Sequence, residues 1–187
     1  MTERILLVDD EPHIVSALQR LLRNGLKTTS GERYAVEGFT DGAAALQRAS
    51  ECSCALVISD HRMPGMTGVE FLSRLRQLQP DCGRIILSGY ADLNALVAAI
   101  NEAEIARFIS KPWADFDLLS AVRQVLRIRE LTIENQRLAD QVRQQMGVLS
   151  AQEAELRRLE RLEPGITHVK WGSDGSFILE DPGEVGQ

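Results

Sequence analysis

The sequence contains no long hydrophobic run and few cysteines. No stretch approaches the roughly eighteen apolar residues of a membrane-spanning helix, and the apolar run at residues 5–8 is too short for a signal peptide. The three cysteines, Cys52, Cys54 and Cys82, are odd in number and have neither CxxC nor zinc-ligand spacing. We therefore expect reduced thiols, no membrane segment and a cytoplasmic location.

Aromatic residues are also scarce, at 5% of the chain, and positive charge is in the minority. The 187 residues include 21 Lys and Arg against 27 Asp and Glu, a net charge of -6. Such a chain has no broad electrostatic attraction to nucleic acid or to an anionic membrane. Hydrophobic residues make up 44%, enough for a globular core in one domain with a smaller extension. A protein partner or a small ligand fits this composition better than nucleic acid.

Short apolar runs alternate with helical patterns through the first two thirds of the chain. The runs predict strands at residues 5–8, 35–39, 55–59, 84–88 and 106–110. Helices are predicted at residues 13–23, 42–50, 69–78, about 93–103 and from about 115. Strands with unbroken apolar character are buried on both faces, so the pattern predicts an α/β fold with a doubly wound parallel sheet.

Polar residues follow the predicted strands at the points where each strand ends. Asp9 and Asp10 follow the first strand, Asp60 the third, Ser88 the fourth and Lys111 the fifth. In parallel sheets the carboxyl ends of the strands meet at one edge, so these side chains should converge there. Transfer of a phosphoryl group to a carboxylate needs a nucleophile, a divalent cation and cationic or hydroxyl contacts. Clustered carboxylates with oxygen ligands suit Mg²⁺, which we expect as the cofactor.

Residues 4 to about 123 resemble the receiver domain of two-component response regulators. Four motifs occur in the family's order: Leu7-Val8-Asp9-Asp10-Glu11, Ser59-Asp60-His61-Arg62-Met63-Pro64-Gly65-Met66-Thr67-Gly68, Ser88-Gly89-Tyr90 and Phe108-Ile109-Ser110-Lys111-Pro112. The resemblance implies a CheY-like, flavodoxin-like sheet of five strands in the order 2-1-3-4-5. It also implies phosphorylation by a histidine kinase and later hydrolysis, both catalysed by the receiver itself, with no separate enzyme activity.

The same resemblance implies roles for individual residues. Asp60 would be the phosphoacceptor, with Asp10 as a direct Mg²⁺ ligand and Asp9 acting largely through water. The Arg62 backbone carbonyl would be a further metal ligand, and Lys111 would contact the phosphoryl group.

A second set of implied roles concerns the response to phosphorylation. Ser88 would turn toward the phosphoryl group, and Phe108 would then move from an exposed to an inward position. A cis peptide bond is expected between Lys111 and Pro112.

The sequence after about residue 123 predicts a long helix with a heptad repeat. We name its a and d positions the seam, and the apolar or register-setting members are Ile128, Leu131, Asn135, Leu138, Val142, Leu149, Leu156 and Leu159. Asn135 favours a parallel homodimer, because a buried Asn at an a position fixes the register of two-stranded coiled coils. The polar Gln145 and Gln152 and the nearby Gly147 weaken the middle of the seam, where a hinge is possible.

The predicted organisation is a receiver domain at residues 1–123, a coiled-coil helix at 124–163 and a short hairpin tail at 164–187. Pro164-Gly165 would end the helix before the hairpin, whose role is open. Residues 124–187 hold no helix-turn-helix pattern, so we expect output through an unidentified protein and no direct binding of nucleic acid.

Two alternatives for the output stay open, a separate cyclic-dinucleotide enzyme or a DNA-binding partner. Gly89-Tyr90-Ala91-Asp92 and Lys111-Pro112-Trp113 resemble segments of regulators that carry cyclic-dinucleotide enzyme domains, which makes the first possible. A phosphohydrolase is disfavoured, because Arg62 stands where those enzymes place a second Asp. The only histidines, His13, His61 and His168, lie outside the long helix, which excludes a histidine kinase dimerisation helix.

Overall fold

Alternating side chains of the central strands are buried on opposite faces of one sheet. The computed structural model describes residues 3–89 and 103–162. Within them, five parallel strands have the order 2-1-3-4-5, which confirms the predicted doubly wound α/β fold. The strands are β1 (Arg4–Val8), β2 (Ala35–Phe39), β3 (Leu56–Asp60), β4 (Gly83–Gly89) and β5 (Arg107–Lys111).

Four helices occur among the described residues. They are α1 (Pro12–Gly25), α2 (Gly42–Glu51), α3 (Gly68–Leu78) and α4 (Asp115–Leu162). Each predicted strand and helix in this part of the chain is present, with ends shifted by one or two residues. The predicted helix at about 93–103 and the hairpin at 164–187 lie outside the described residues. None of the described helices has both the length and the apolar character that crossing a membrane requires.

Two hydrophobic layers cover the two faces of the sheet. On β1, Ile5 and Leu7 belong to the layer under α1 and α4, whereas Leu6 and Val8 belong to the layer under α2 and α3. The side chains buried against the first layer by α1 and α4 are Leu18, Leu22, Leu118, Val122, Val125 and Leu126. Burying such side chains stabilises the fold by roughly 1.5 to 3 kcal/mol each. The carboxyl edge of the sheet, where the polar residues are expected to converge, therefore belongs to a sheet that is packed on both faces.

Helix α4 begins at the expected residue and continues without interruption for 48 residues. The last helix of the receiver and the predicted stalk are thus one helix. The chain divides into two units, the first ending at Glu134 and the second starting at Asn135.

The first unit includes contacts made by α4 well after residue 123. The Arg129 guanidinium donates to the Glu3 carboxylate at 3.2 Å and to the Asp81 carbonyl at 3.0 Å. The Thr29 hydroxyl donates to the Glu130 carboxylate at 2.9 Å. These contacts join the part of α4 just after residue 123 to the first unit.

Candidate functional site

Asp9 follows β1 directly and is completely buried at the carboxyl edge of the sheet. Its backbone N–H donates to the Phe39 carbonyl at 3.1 Å, which extends the pairing with β2 by one residue. Its Oδ1 accepts a hydrogen bond from the Glu11 backbone N–H at 3.0 Å. Burial raises the pKa of Asp9, although hydrogen bonds from Lys111 and the Glu11 backbone oppose that rise. The hydrogen bonds from Lys111 and the Glu11 backbone therefore favour the ionised form of Asp9, and burial opposes it.

Asp60 is the last residue of β3 and is only 6% exposed. Its Oδ2 accepts a hydrogen bond from the Arg62 backbone N–H at 2.6 Å. The backbone after Asp60 is fixed on both sides, since the His61 N–H donates to the Leu87 carbonyl at 2.8 Å and the His61 carbonyl accepts from the Gly68 N–H at 2.9 Å. The carboxylate is thus held at the rim by the loop that leads into α3.

The start of α3 is reinforced by a capping box. The Thr67 hydroxyl accepts from the Glu70 backbone N–H at 3.3 Å, and the Glu70 carboxylate accepts from the Thr67 backbone N–H at 2.9 Å. These two residues support the end of the loop between β3 and α3. The strand-end pattern does not identify them, but their Thr-x-x-Glu spacing is the sequence signal for such a cap.

Lys111 connects the two buried carboxylates. As the last residue of β5, it places its Nζ 2.7 Å from Asp9 Oδ2 and also in contact with Asp60 Oδ1. Burial alone would lower the pKa of Lys111, but the bonds to Asp60 and Asp9 outweigh burial and raise it. The shared ammonium offsets the repulsion between two carboxylates that are almost fully shielded from water. The peptide bond to Pro112 is cis, as predicted.

Asp10 differs from the other two predicted carboxylates because it is exposed. Asp9 and Asp60 converge on Lys111, and Arg62 contacts Asp60 through its backbone N–H. The described ranges contain no group of three or more His, Cys, Asp or Glu side chains arranged to hold a metal ion. Mg²⁺ binds through one or two carboxylates while keeping several waters, so Asp9 and Asp60 fit it as a donor pair.

Ser88 and Phe108 lie near the rim on the neighbouring strands. Ser88 is 2% exposed and pairs with Ser110 in the register of β4 and β5, one residue before the Gly89 and Lys111 pair. Its hydroxyl donates to the Gly89 carbonyl at 3.5 Å, a long bond. Phe108 is partly buried against the layer under α2 and α3. Tyr90, the third residue of this motif, lies outside the described residues.

A buried aspartate after β1, a second at the end of β3 and a lysine shared between them, on a 2-1-3-4-5 sheet, define a receiver of the response regulator class. Residues 5–123 match the response regulator receiver domain, and the chain belongs to that family.

Two curated relatives with similar sequences are regulators of transcription by name. The hydrogenase transcriptional regulatory protein HoxA of Cupriavidus necator is 35% identical over 145 residues, covering 78% of this chain and 28% of HoxA. The C4-dicarboxylate transport transcriptional regulatory protein DctD of Pseudomonas aeruginosa is 34% identical over 162 residues, covering 83% of this chain and 33% of DctD. The chain therefore spans about a third or less of these relatives.

Two solved receiver structures share this fold over most of their own length. The signal receiver domain of an HD domain-containing protein from Pseudomonas fluorescens Pf-5 is 38% identical with a TM-score of 0.62, covering 71% of this chain and 93% of that one. A CheY-like receiver domain protein from Methanospirillum hungatei JF-1 is 25% identical with a TM-score of 0.61, covering 71% and 99%. The two structures therefore match about seven tenths of this chain.

Proposed function

We propose that the chain is a phosphorylation-controlled switch in which Asp60 receives a phosphoryl group from the phosphohistidine of a histidine kinase. The observation that carries this proposal is the Lys111 ammonium shared by the buried Asp9 and Asp60 carboxylates. Burying two carboxylates without a cation would destabilise the fold. Asp9 and Asp60 lie at the carboxyl edge of the sheet, which is where ligands bind in such folds.

The proposed transfer uses the two oxygens of Asp60 differently. The Arg62 N–H holds Oδ2, which leaves Oδ1 beside Lys111 to attack the phosphorus. As the new O–P bond forms, the P–N bond to the kinase histidine breaks and its electron pair stays on the imidazole. Lys111 then donates to an oxygen of the bound phosphoryl group.

The metal would be held by Asp10, Asp60 and the Arg62 carbonyl, with Asp9 acting largely through water. Mg²⁺ at this position supplies charge neutralisation for the phosphoryl oxygens. We assign the chain no enzyme activity beyond this transfer and the later hydrolysis of its own acyl phosphate.

The acceptor assignment is tested by treating the chain with a small phosphodonor and Mg²⁺. Intact mass spectrometry should show one added phosphoryl group in the wild type and none in Asp60→Asn. Asp10→Asn is the informative companion, because it should slow the transfer while leaving Asp60 as the acceptor. A phosphoryl group that persists on Asp60→Asn would place the acceptor elsewhere.

The output proposed is a parallel homodimer formed along the seam, in which the first heptads, from Ile128 to Val142, join the two copies. Within the first unit, Ile128 is 57% and Leu131 is 47% exposed, whereas Leu118 and Val125 are buried against the sheet. At about 100° per residue, Ile128 lies about 70° and Leu131 about 130° around α4 from the mean direction of Leu118 and Val125. A second helix can therefore pair with the seam without displacing the contacts that α4 makes with the sheet.

The dimer is tested with the full chain by light scattering. The double variant Leu131→Asp/Leu138→Asp should be monomeric at concentrations where the wild type is dimeric, because each dimer would bury four carboxylates on its seam. Gln144→Asp is the control, since this exposed residue lies at an outer position of the heptad. A wild type that stays monomeric at high concentration would contradict the proposal.

The names of the relatives favour control of transcription as a second candidate output. HoxA and DctD are named as transcriptional regulators, and the part they share with this chain is 28% of HoxA and 33% of DctD. The net charge of -6 favours a partner over direct contact with DNA. Retention of duplex DNA by the phosphorylated chain at physiological salt would favour direct binding instead.

A further inference from the structure

The heptads at the end of α4 carry a different charge pattern from those at its start. At the earlier e and g positions, which flank the seam, the residues are Thr132, Glu134, Ala139, Gln141, Met146 and Val148, of which one is charged. In the last two heptads the flanking positions include Glu153, Glu155 and Glu160, and no basic residue occupies any of them. We name the seam from Leu149 to Leu159, together with these three glutamates, the acidic seam.

The acidic seam retains an apolar stripe. Leu156 is 52% and Leu159 is 38% exposed, and Leu162 at the following g position is 68% exposed. Leucines this exposed at heptad spacing form a face suited to a second helix. A single helix in water gains nothing from such a stripe, so the stripe indicates a helical partner.

A second copy of the chain is a poor partner for this part of the helix. In a parallel pair, each g residue faces the e residue of the next heptad on the other helix, so Glu155 of one copy faces Glu160 of the other. Like charges at these positions destabilise pairing. The Glu155 side chain is 54% exposed, and its only described ion pair is with Arg158 on the same helix at 3.4 Å. Because water screens an ion pair at such exposed side chains, Arg158 only weakly offsets the negative charge of Glu155.

We propose that the acidic seam binds an amphipathic helix of a protein partner that has an apolar seam and Lys or Arg at its own e and g positions. This inference rests on the proposed function for the idea of a protein output, and it adds the chemistry of the partner. The first heptads, from Ile128 to Val142, have nearly uncharged flanks and pair with a second copy. Self-association and partner binding thus use different segments of one helix.

The test uses the full chain and two labelled three-heptad peptides with Leu at every a and d position. One peptide has Lys at all e and g positions, and the other has Glu. Fluorescence anisotropy should show the Lys-flanked peptide binding and the Glu-flanked peptide failing to bind. The triple variant Glu153→Gln/Glu155→Gln/Glu160→Gln should weaken binding of the Lys-flanked peptide about tenfold, since three favourable charge pairs are lost.

A control variant removes the same number of charges away from the seam. Glu32→Gln/Glu51→Gln/Asp140→Asn changes three exposed acids and should leave the affinity unchanged. The Gln triple at the acidic seam should also increase self-association in light scattering, because Glu155 no longer repels Glu160. General loss of helix would lower both measurements, whereas the proposal predicts that they move in opposite directions.

Charge reversal gives the sharpest outcome. Glu153→Lys/Glu155→Lys/Glu160→Lys should bind the Glu-flanked peptide in place of the Lys-flanked one. Equal binding of both peptides to the wild type, or an affinity unaffected by the Gln triple, would overturn the proposal. Asp60→Asn and Leu131→Asp/Leu138→Asp should both still bind the Lys-flanked peptide, so failure of phosphorylation or of dimerisation is distinguishable from failure of this inference.

Discussion

Replacing Lys111 with Met is expected to lower the free energy of unfolding at neutral pH by about 2 kcal/mol and to slow phosphorylation of Asp60 severely. The ammonium is the shared partner of Asp9, which is fully buried, and of Asp60, which is 6% exposed. Its removal leaves both carboxylates facing each other in a site with little water. Urea denaturation measures the stability, and intact mass spectrometry measures the phosphorylation.

Two additions separate the electrostatic cause from a packing defect. Adding Asp9→Asn to Lys111→Met should recover most of the lost stability, because a neutral amide no longer repels Asp60. Saturating Mg²⁺ should raise the melting temperature more in Lys111→Met than in the wild type, where ammonium and metal compete for the same oxygens. A stability that Lys111→Met leaves unchanged would show that the ammonium does not compensate the carboxylates.

Much of this site can be predicted from the sequence, because the last residues of parallel strands lie at the same edge of the sheet. Asp60 and Lys111 occupy the ends of β3 and β5, and Asp9 follows β1 directly, as the apolar runs predict. Which of the neighbouring residues Asp9 and Asp10 is buried is harder to predict from the sequence, because the alternation of side chains does not show how far the pairing with β2 extends. The bond from Asp9 to the Phe39 carbonyl decides it.

The fold is predictable for a related reason, whereas the contacts that α4 makes with the sheet after residue 123 are not. Strands buried on both faces are recognisable as unbroken apolar runs, and each helix shows its own apolar spacing. The extent of the first unit depends on polar contacts such as Arg129 to Glu3, which join residues 126 positions apart. The heptad pattern that begins at Ile128 does not predict those contacts, because its a and d residues lie on the exposed side of α4 and not on the side that packs on the sheet.

Gly68→Ala is expected to lower the free energy of unfolding by about 3 kcal/mol and to impair phosphorylation at the same time. A Cβ at this position would lie 2.0 Å from the Asp60 backbone oxygen and 3.1 Å from the His61 Cα. Both are backbone atoms, and the His61 N–H and carbonyl are already bonded to Leu87 and Gly68. Relief therefore requires moving the segment that holds the acceptor. Urea denaturation and the phosphodonor assay report the two effects.

Gly147→Ala is the matched control, because an added Cβ there meets no atom within 4 Å. In a helix, Ala is favoured over Gly by about 1 kcal/mol, so this variant should gain helicity and leave phosphorylation unchanged. The contrast isolates the steric demand at Gly68 from the general effect of replacing Gly. A Gly68→Ala protein that is phosphorylated at the wild-type rate would mean that the loop yields without moving Asp60. The close approach of α3 to the end of β3 would then serve packing alone, with the acceptor held by its bond to the Arg62 N–H.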